Sequence, residues 1–254
     1  MSIIALLGDI HANLPALEAV LSHAQSQDIQ HIWFIGDFVG YGAFPNEVID
    51  RLRDLEAVSI IGNYDRKVLK ILKKAHKWKD KKPTEKLLAF EWAYNQLSPA
   101  NRNYLKSLPE DRLFELEGWQ VLLTHGSPAS LDEHLMPDTP DDRLRELAKM
   151  TSAKIIIHGH SHIPYARKVD QTWWINTGSV GRPDDGDPRA CYAILQLTPN
   201  QIDVRHFRVE YDLKAAVEGI HRNHLPENFA RMIMAGRPLD FFQNHNTMNQ
   251  DDDE

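Results

Sequence analysis

Short apolar runs alternate along the chain with amphipathic stretches of helical period. Residues 2–7, 32–35 and 58–61 are apolar runs bounded by turn-forming residues, and they read as buried strands. After the first, Asn13 as N-cap and Pro15 just inside predict a helix to about Gln27. Its stripe is Leu14, Leu17, Val20, Leu21 and Ala24. A helix opened by Pro45 runs to about Asp54. From Arg66 to Lys86 the pattern predicts a basic helix with apolar positions at Val68, Leu69, Ile71, Leu72 and Ala75. Helices over 84–97 and from Ser98-Pro99 to about Ser107 follow. Residues 66–109 thus read as a helical insert on the core, with no flexible linker on either flank.

Further on, 113–116 and 119–123 predict a hairpin turning at Glu117-Gly118. A helix over 141–150 leads to Ile155-Ile156-Ile157, three β-branched residues in a row and a buried strand. Residues 166–169 and 173–175 predict a second hairpin, 190–197 and 202–209 two more strands, and 211–236 two short closing helices. The span 1–242 reads as one domain. The tail, 243–254, ends in Asp251-Asp252-Asp253-Glu254 and reads as solvated and disordered.

Composition narrows the function classes. At 42% hydrophobic and 26% charged residues, the 254-residue chain is an ordinary globular sequence with enough length for a substantial core. A net charge of -7 argues against a general nucleic-acid or anionic-membrane binder, though not against a locally basic site. No apolar run approaches the roughly 18 residues that span a bilayer. The run at 3–7 lacks a basic flank and is too short for a signal peptide. The single cysteine, Cys191, cannot form an internal disulfide, which suits a reducing cytoplasm. Nine lysines between Lys67 and Lys86 read as a solvated helix face or, more sharply, as an electropositive rim for a polyanionic substrate.

The candidate chemistry sits where the predicted strands end. Asp9 and His11 follow the first strand, Asp37 the second, Asn63 the third; His125 follows 119–123, and His160 and His162 follow 155–157. In extended chain, residues two apart point to the same side, so His160 and His162 are expected to reach one point in space. Each block alone has a plain explanation in turn chemistry or surface histidines. Together they lie at strand C-termini, where α/β sheets hold ligands, interleaved with glycines that let backbone approach closely. Seven such side chains exceed the needs of one ion. Sharing Asp37 would give each of two ions about four protein ligands and leave positions for water and substrate. A His, Asp and Asn set without thiolate suits Mn²⁺, Fe, Co²⁺, Ni²⁺ or Zn²⁺. Of the other histidines, His158 reads as packing between layers or supporting a ligand, and His134 has no pattern around it. The six tryptophans read as core.

The order Asp9-Ile10-His11, Gly36-Asp37, Gly62-Asn63-Tyr64-Asp65, His125-Gly126 and Gly159-His160-Ser161-His162 resembles the calcineurin-like metallophosphoesterase superfamily. Asn176 to Gly181 followed by Asp185-Gly186-Asp187-Pro188-Arg189 looks like its small prokaryotic phosphodiesterase branch. The resemblance implies an α/β fold, a four-layer α/β/β/α sandwich. It also implies one metal held by Asp9, His11 and His162, a second by Asn63, His125 and His160, and Asp37 bridging, with Mn²⁺ foremost. A metal-bound hydroxide would attack phosphorus in line with the leaving group.

One position departs from that pattern. The family's third block commonly carries a histidine, thought to protonate the leaving oxygen, where this chain has Tyr64. A phenol of pKa about 10 is the poorer donor near neutral pH. This predicts a preference for phosphoanhydrides and aryl esters over alkyl phosphates. Asn63, Tyr64 and Asp65 are the expected catalytic block, with Asp65 pairing with Arg66 or holding Tyr64; Arg66 and Arg182 are candidate phosphate contacts. The implied function is hydrolysis of a small phosphorylated substrate, a nucleotide or dinucleoside polyphosphate, in the cytoplasm. A serine/threonine protein phosphatase and a catalytically silent scaffold of the same fold are the alternatives. Neither membrane nor general nucleic-acid partners are expected, and exposed apolar residues on the insert leave a homo-oligomer open.

Overall fold

Strand β1 (Ser2–Leu7) is apolar on both faces, and it lies at the centre of a sheet for that reason. Ile4 and Leu6 enter one core, Ala5 and Leu7 another. β1 pairs in parallel with β2 (His31–Phe34), which pairs in parallel with β3 (Val58–Ser59). On its other side it pairs antiparallel with β9 (Ala190–Thr198), and β9 with β10 (Gln201–Val209). The crossovers are α1 (Leu14–Gln25) and α2 (Pro45–Asp54). The Asn13 side chain accepts from the Ala16 amide, so α1 starts where the sequence predicts.

The second sheet runs in the order β4 (Asp111–Leu116), β5 (Trp119–Thr124), β6 (Ile155–His158), β8 (Thr172–Asn176), β7 (Tyr165–Val169). The β4–β5 hairpin turns at Glu117 and Gly118, both at positive φ, the geometry that matches the twist of a two-residue hairpin. β6 repeats the logic of β1: Ile155 and Ile157 face the first sheet, and Ile156 faces outward. Each fully buried Ile contributes roughly 1.5–3 kcal/mol. Outside the first sheet lie α1, α2, α7 (Leu213–Arg222) and α8 (Glu227–Ala235). Outside the second lies α6 (Asp141–Ala148), with Leu144 and Leu147 against Ile156 and Trp174. The layers are therefore α/β/β/α, as the sequence implies.

The computed structural model describes residues 1–79 and 81–248. Three elements differ from the sequence reading. The third strand stops at Ser59, because Ile61 turns its amide to the Pro109 carbonyl instead of continuing the ladder. The basic helix is shorter at its end and earlier at its start: α3 (Asn63–Trp78) begins inside the Gly-Asn-Tyr-Asp block and stops before Lys86, while α4 (Thr84–Gln96) follows Pro83 where the sequence predicts the next helix. With α5 (Pro99–Ser107) they fill the segment before β4, and Val68, Ile71, Ala89, Phe90, Ala93 and Leu97 join the same core as α1 and α2. Finally, α9 (Leu239–Met248) extends helix into the segment read as a disordered tail, anchored by buried Leu239 and Phe242; residues 249–254 lie outside the described residues. Among the described residues, no helix is long and apolar enough to cross a membrane.

Candidate metal centre

The loops after β1 and β2 are joined through their backbones. The amides of Asp9, His11 and Ala12 donate to the carbonyls of Gly36, Asp37 and Phe38. Asp9, His11, Ala12 and Asp37 all hold positive φ, between 50 and 56°. Left-handed backbone at non-glycine residues costs on the order of 1–3 kcal/mol each and persists only where surroundings over-determine it. Here the hydrogen bonds between the loops do so. Behind them, the Ser179 hydroxyl donates to the Asp9 carbonyl, and Val180 and Gly181 donate to Gly8 and Asp9.

Two groups of ligand atoms result, Asp9–His11–His162 and Asp37–His125–His160, each with its atoms within 4.8 Å of one another. His160 and His162 do not converge on one point as extended chain would require. Both are at positive φ, 66° and 60°, so the backbone between them is not extended and each ring joins a different group. In the first group the Nε2 atoms of His11 and His162 face each other at 3.2 Å, with Asp9 Oδ1 3.3 Å from His162. Asp9 Oδ2 accepts from the His160 amide, an approach that a side chain at Gly159 would obstruct. In the second group, Asp37 Oδ1 accepts from the Tyr64 amide at 2.7 Å. Asp37 Oδ2 lies 3.4 Å from His125 Nε2 and 3.8 Å from His11 Nε2, facing both groups.

The ligand atoms are buried and left over. Asp9 Oδ1, Asp37 Oδ2, Asn63 Oδ1, His125 Nε2 and His160 Nε2 are all without a hydrogen-bond partner. An unsatisfied buried polar atom costs about 1–3 kcal/mol, so five converging here are best explained by a bound cation. This donor set, oxygen and imidazole nitrogen without sulfur, fits a divalent transition metal. Charge supports the same reading. Burial disfavours the Asp37 carboxylate, but His125, His11 and His160 outweigh it and hold it well below the ordinary carboxylate range. Burial also lowers His125, but Asp37 raises it to about 9. His160 is held down to about 2 by burial and by His125.

Of the supporting residues, Asp132, His134 and Asp184 carry no sequence signal, whereas His158 takes the supporting place the sequence suggests. His125 Nδ1 donates to the Ile35 carbonyl at 2.8 Å, which leaves Nε2 for a metal. His162 Nδ1 is 3.0 Å from both the Asp184 carboxylate and the buried Arg182 guanidinium, which pair with each other. Asp132 accepts from the Asn63 amide at 2.6 Å and turns Asn63 Oδ1 toward the site. The His134 ring lies 3.9 Å from that of His160. His158, buried and lowered to about 3, is held by Asn176 and the Tyr165 hydroxyl; Asn176 also supports Gly159 and Ser161.

Of the residues expected to act on substrate, Asn63, Tyr64 and Arg182 line the cleft, whereas Asp65 and Arg66 make other contacts. Asp65 neither pairs with Arg66 nor holds Tyr64. Its oxygens accept from the amides of Phe38, Val39 and Gly62, which caps α3 and fixes the loop carrying Asp37. Burial and Asp37 push its carboxyl up to about 7. Arg66 pairs with Glu110 at 2.7 Å and does not line the cleft, whereas Lys67, one turn after Asn63, does. Tyr64 stands edge-on to His11, its hydroxyl 2.8 Å from that of Tyr41. Burial and Tyr41 raise its phenol well above its ordinary value. Arg182 lines the site, its guanidinium 5.0 Å from the Tyr41 ring. Asp185 and Asp187 lie in a separate surface network with Arg208 and Arg189. Over the ligand atoms opens a cleft of about 250 Å³, lined by Asp37, Asn63, His160 and His162 on one side and by Lys67, Lys82 and Lys86 on another.

Comparison with known proteins gives the family of the chain. The sequence profile of the calcineurin-like phosphoesterase superfamily domain matches residues 1–200. An uncharacterised protein of Methanocaldococcus jannaschii is 35% identical over 93% of this chain and 99% of its own length. Phosphodiesterase YfcE of Escherichia coli is 26% identical over 74% of this chain and 83% of its own. The crystal structure of a metallophosphoesterase from Sphaerobacter thermophilus matches with a TM-score of 0.76 at 30% identity, covering 92% of this chain and 99% of that one.

Proposed function

The chain belongs to the calcineurin-like phosphoesterase superfamily, and we propose that it hydrolyses phosphodiester or phosphoanhydride bonds of a small phosphorylated substrate, a nucleotide or dinucleoside polyphosphate. Two divalent transition-metal ions, Mn²⁺ foremost, would be held by Asp9, His11 and His162 and by Asn63, His125 and His160, with Asp37 between. The observation that carries this reading is the set of five buried atoms without a hydrogen-bond partner, four of them in the two ligand groups, with Asp37, Asn63 and His160 opening onto one cleft. When bound, such ions supply Lewis acidity toward phosphate oxygens and make water a nucleophile near neutral pH. The buried thiol of Cys191, unpaired, supports a reducing cytoplasmic setting.

The chain's own groups orient and neutralise. Ile35 and Asp184 fix the ring orientations of His125 and His162, and Asp132 fixes the amide of Asn63. Lys67 and Arg182 bring positive charge to the cleft, where a phosphate would need it. None of them is a proton donor matched to an alkoxide. Tyr64 occupies the place of a general acid, but its raised pKa and its bond to Tyr41 unsuit it. General-acid catalysis is worth roughly 10²–10⁴-fold, and a phosphoryl leaving group with second pKa about 6 does without it. The test is turnover, with added Mn²⁺, of a phosphoanhydride, an aryl diester and an alkyl phosphate. The anhydride and the aryl ester are expected to exceed the alkyl ester by about 10²-fold or more. Equal rates on all three would sink the leaving-group argument, and metal-independent turnover would sink the site assignment.

A further inference from the structure

The nine lysines of the insert divide into two sets. Lys70, Lys73, Lys74, Lys77, Lys79 and Lys81 are exposed, whereas Lys67, Lys82 and Lys86 are half-buried and line the cleft. These three gather on an aromatic floor. The ammonium groups of Lys67 and Lys86 lie 5.5 and 5.9 Å from the Tyr64 ring centre, and that of Lys82 lies 5.6 Å from Trp78. Tyr64 and Trp78 both pack edge-on against Phe90. A single ring, Tyr64, separates Lys86 and Lys67 from His11.

This arrangement is under electrostatic tension. Lys67 is partly neutralised by Asp132 at 2.5 Å, and Arg182 by Asp184. Lys86 has no ion pair among the described residues, and Asp240 is the carboxylate acting on it across the cleft. Burial, Arg182, Lys82 and Lys67 together push its amine below the ordinary lysine value. Half-desolvated cations that repel one another are stabilised when an anion lies among them. The neutral ring of Tyr64 offers its negative face to them, where a protonated imidazole would add another positive charge.

We propose that Lys82 and Lys86, with Lys67, form a subsite for phosphate groups adjoining the one under attack, so that the preferred substrate carries a chain of two or more phosphates. This rests on the phosphoesterase reading above and deepens it. In such a substrate, water oxygen bonds to the attacked phosphorus and the bridging P–O bond breaks. The leaving phosphate keeps the electron pair beside the lysines, and the proton lost by water passes to solvent. No side-chain acid is needed.

The test uses inorganic tripolyphosphate as probe and the variant Lys82→Ala/Lys86→Ala, with Lys73→Ala/Lys74→Ala as a control on the exposed face. Calorimetry on metal-free protein is expected to show tripolyphosphate binding about tenfold weaker or worse in the first variant, the scale of losing charged hydrogen bonds. The control is expected to bind within about twofold of wild type, as exposed charges contribute little. With Mn²⁺, the ratio of kcat/KM for tripolyphosphate to that for an aryl diester is expected to fall by a similar factor. Unchanged binding and an unchanged ratio in the first variant would overturn the subsite, as would equal losses in the control. Lysine-dependent binding without hydrolysis of any ester would uphold the subsite and remove the phosphoesterase reading; diester hydrolysis with lysine-independent binding would do the reverse.

Discussion

The two groups of ligand atoms use the same kinds of donor and are supported in different ways. The Asp9–His11–His162 group is backed by charge. His162 Nδ1 meets both members of a buried ion pair, the Asp184 carboxylate and the Arg182 guanidinium. The Asp37–His125–His160 group is backed largely by neutral dipoles and ring packing. His125 donates to a backbone carbonyl, and His160 lies against His134. A carboxylate behind an imidazole makes it a more basic ligand than a carbonyl does. Identical donors can thus be tuned apart by what stands behind them.

Asp37 is where that difference collapses, because its Oδ2 faces both groups. Asp37→Ala is expected to lower activity by about 10³-fold or more, since several kcal/mol of charge stabilisation depend on the pair. Metal content by mass spectrometry is expected to fall below two ions per chain. Full activity in this variant would remove the shared site. Asp184→Asn keeps the shape and removes the charge. It should weaken one of two Mn²⁺ binding steps by roughly 10–100-fold and leave the other, as read by titration calorimetry; equal weakening of both would erase the contrast between the groups. His134→Ala is expected to have the smallest effect, about threefold to tenfold on the other step, the worth of one aromatic pair. A larger loss than in Asp184→Asn would invert the comparison.

Much of this site is legible in the sequence because strand ends obey local rules. An apolar run followed by Gly-Asp or Gly-Asn announces a strand tip, and the tips of neighbouring strands in one sheet must lie side by side. The placing of Asp9, Asp37 and Asn63 at strand tips follows from that alone, as do most of the helix starts, whereas the four layers are implied by the family resemblance. What the sequence hides is long-range or conformational. Asp132, His134 and Asp184 lie on loops without period, and only the fold brings them to Asn63, His160 and His162. The separation of His160 from His162 depends on two left-handed residues that no alternation rule anticipates. Asp65 is the instructive case. Its bond to the amide three residues back is a local capping pattern, available to inspection, but the neighbouring Arg66 suggested an ion pair instead. Likewise, nine lysines look alike in the sequence, and only the fold, with α3 ending at Trp78 and α4 starting after Pro83, sorts Lys82 and Lys86 into the cleft.

Asp37 Oδ2 also makes the two positions accountable to each other. A cation entering beside His125 draws on the same oxygen that a cation beside His11 would use. If both positions take a cation as proposed, occupancy of one would change the affinity of the other, and thermodynamic linkage would make the influence mutual and equal in both directions. On the proposed two-ion reading, loading would be a cooperative process with one coupling constant, and the half-loaded protein would be a distinct chemical species rather than half of the whole.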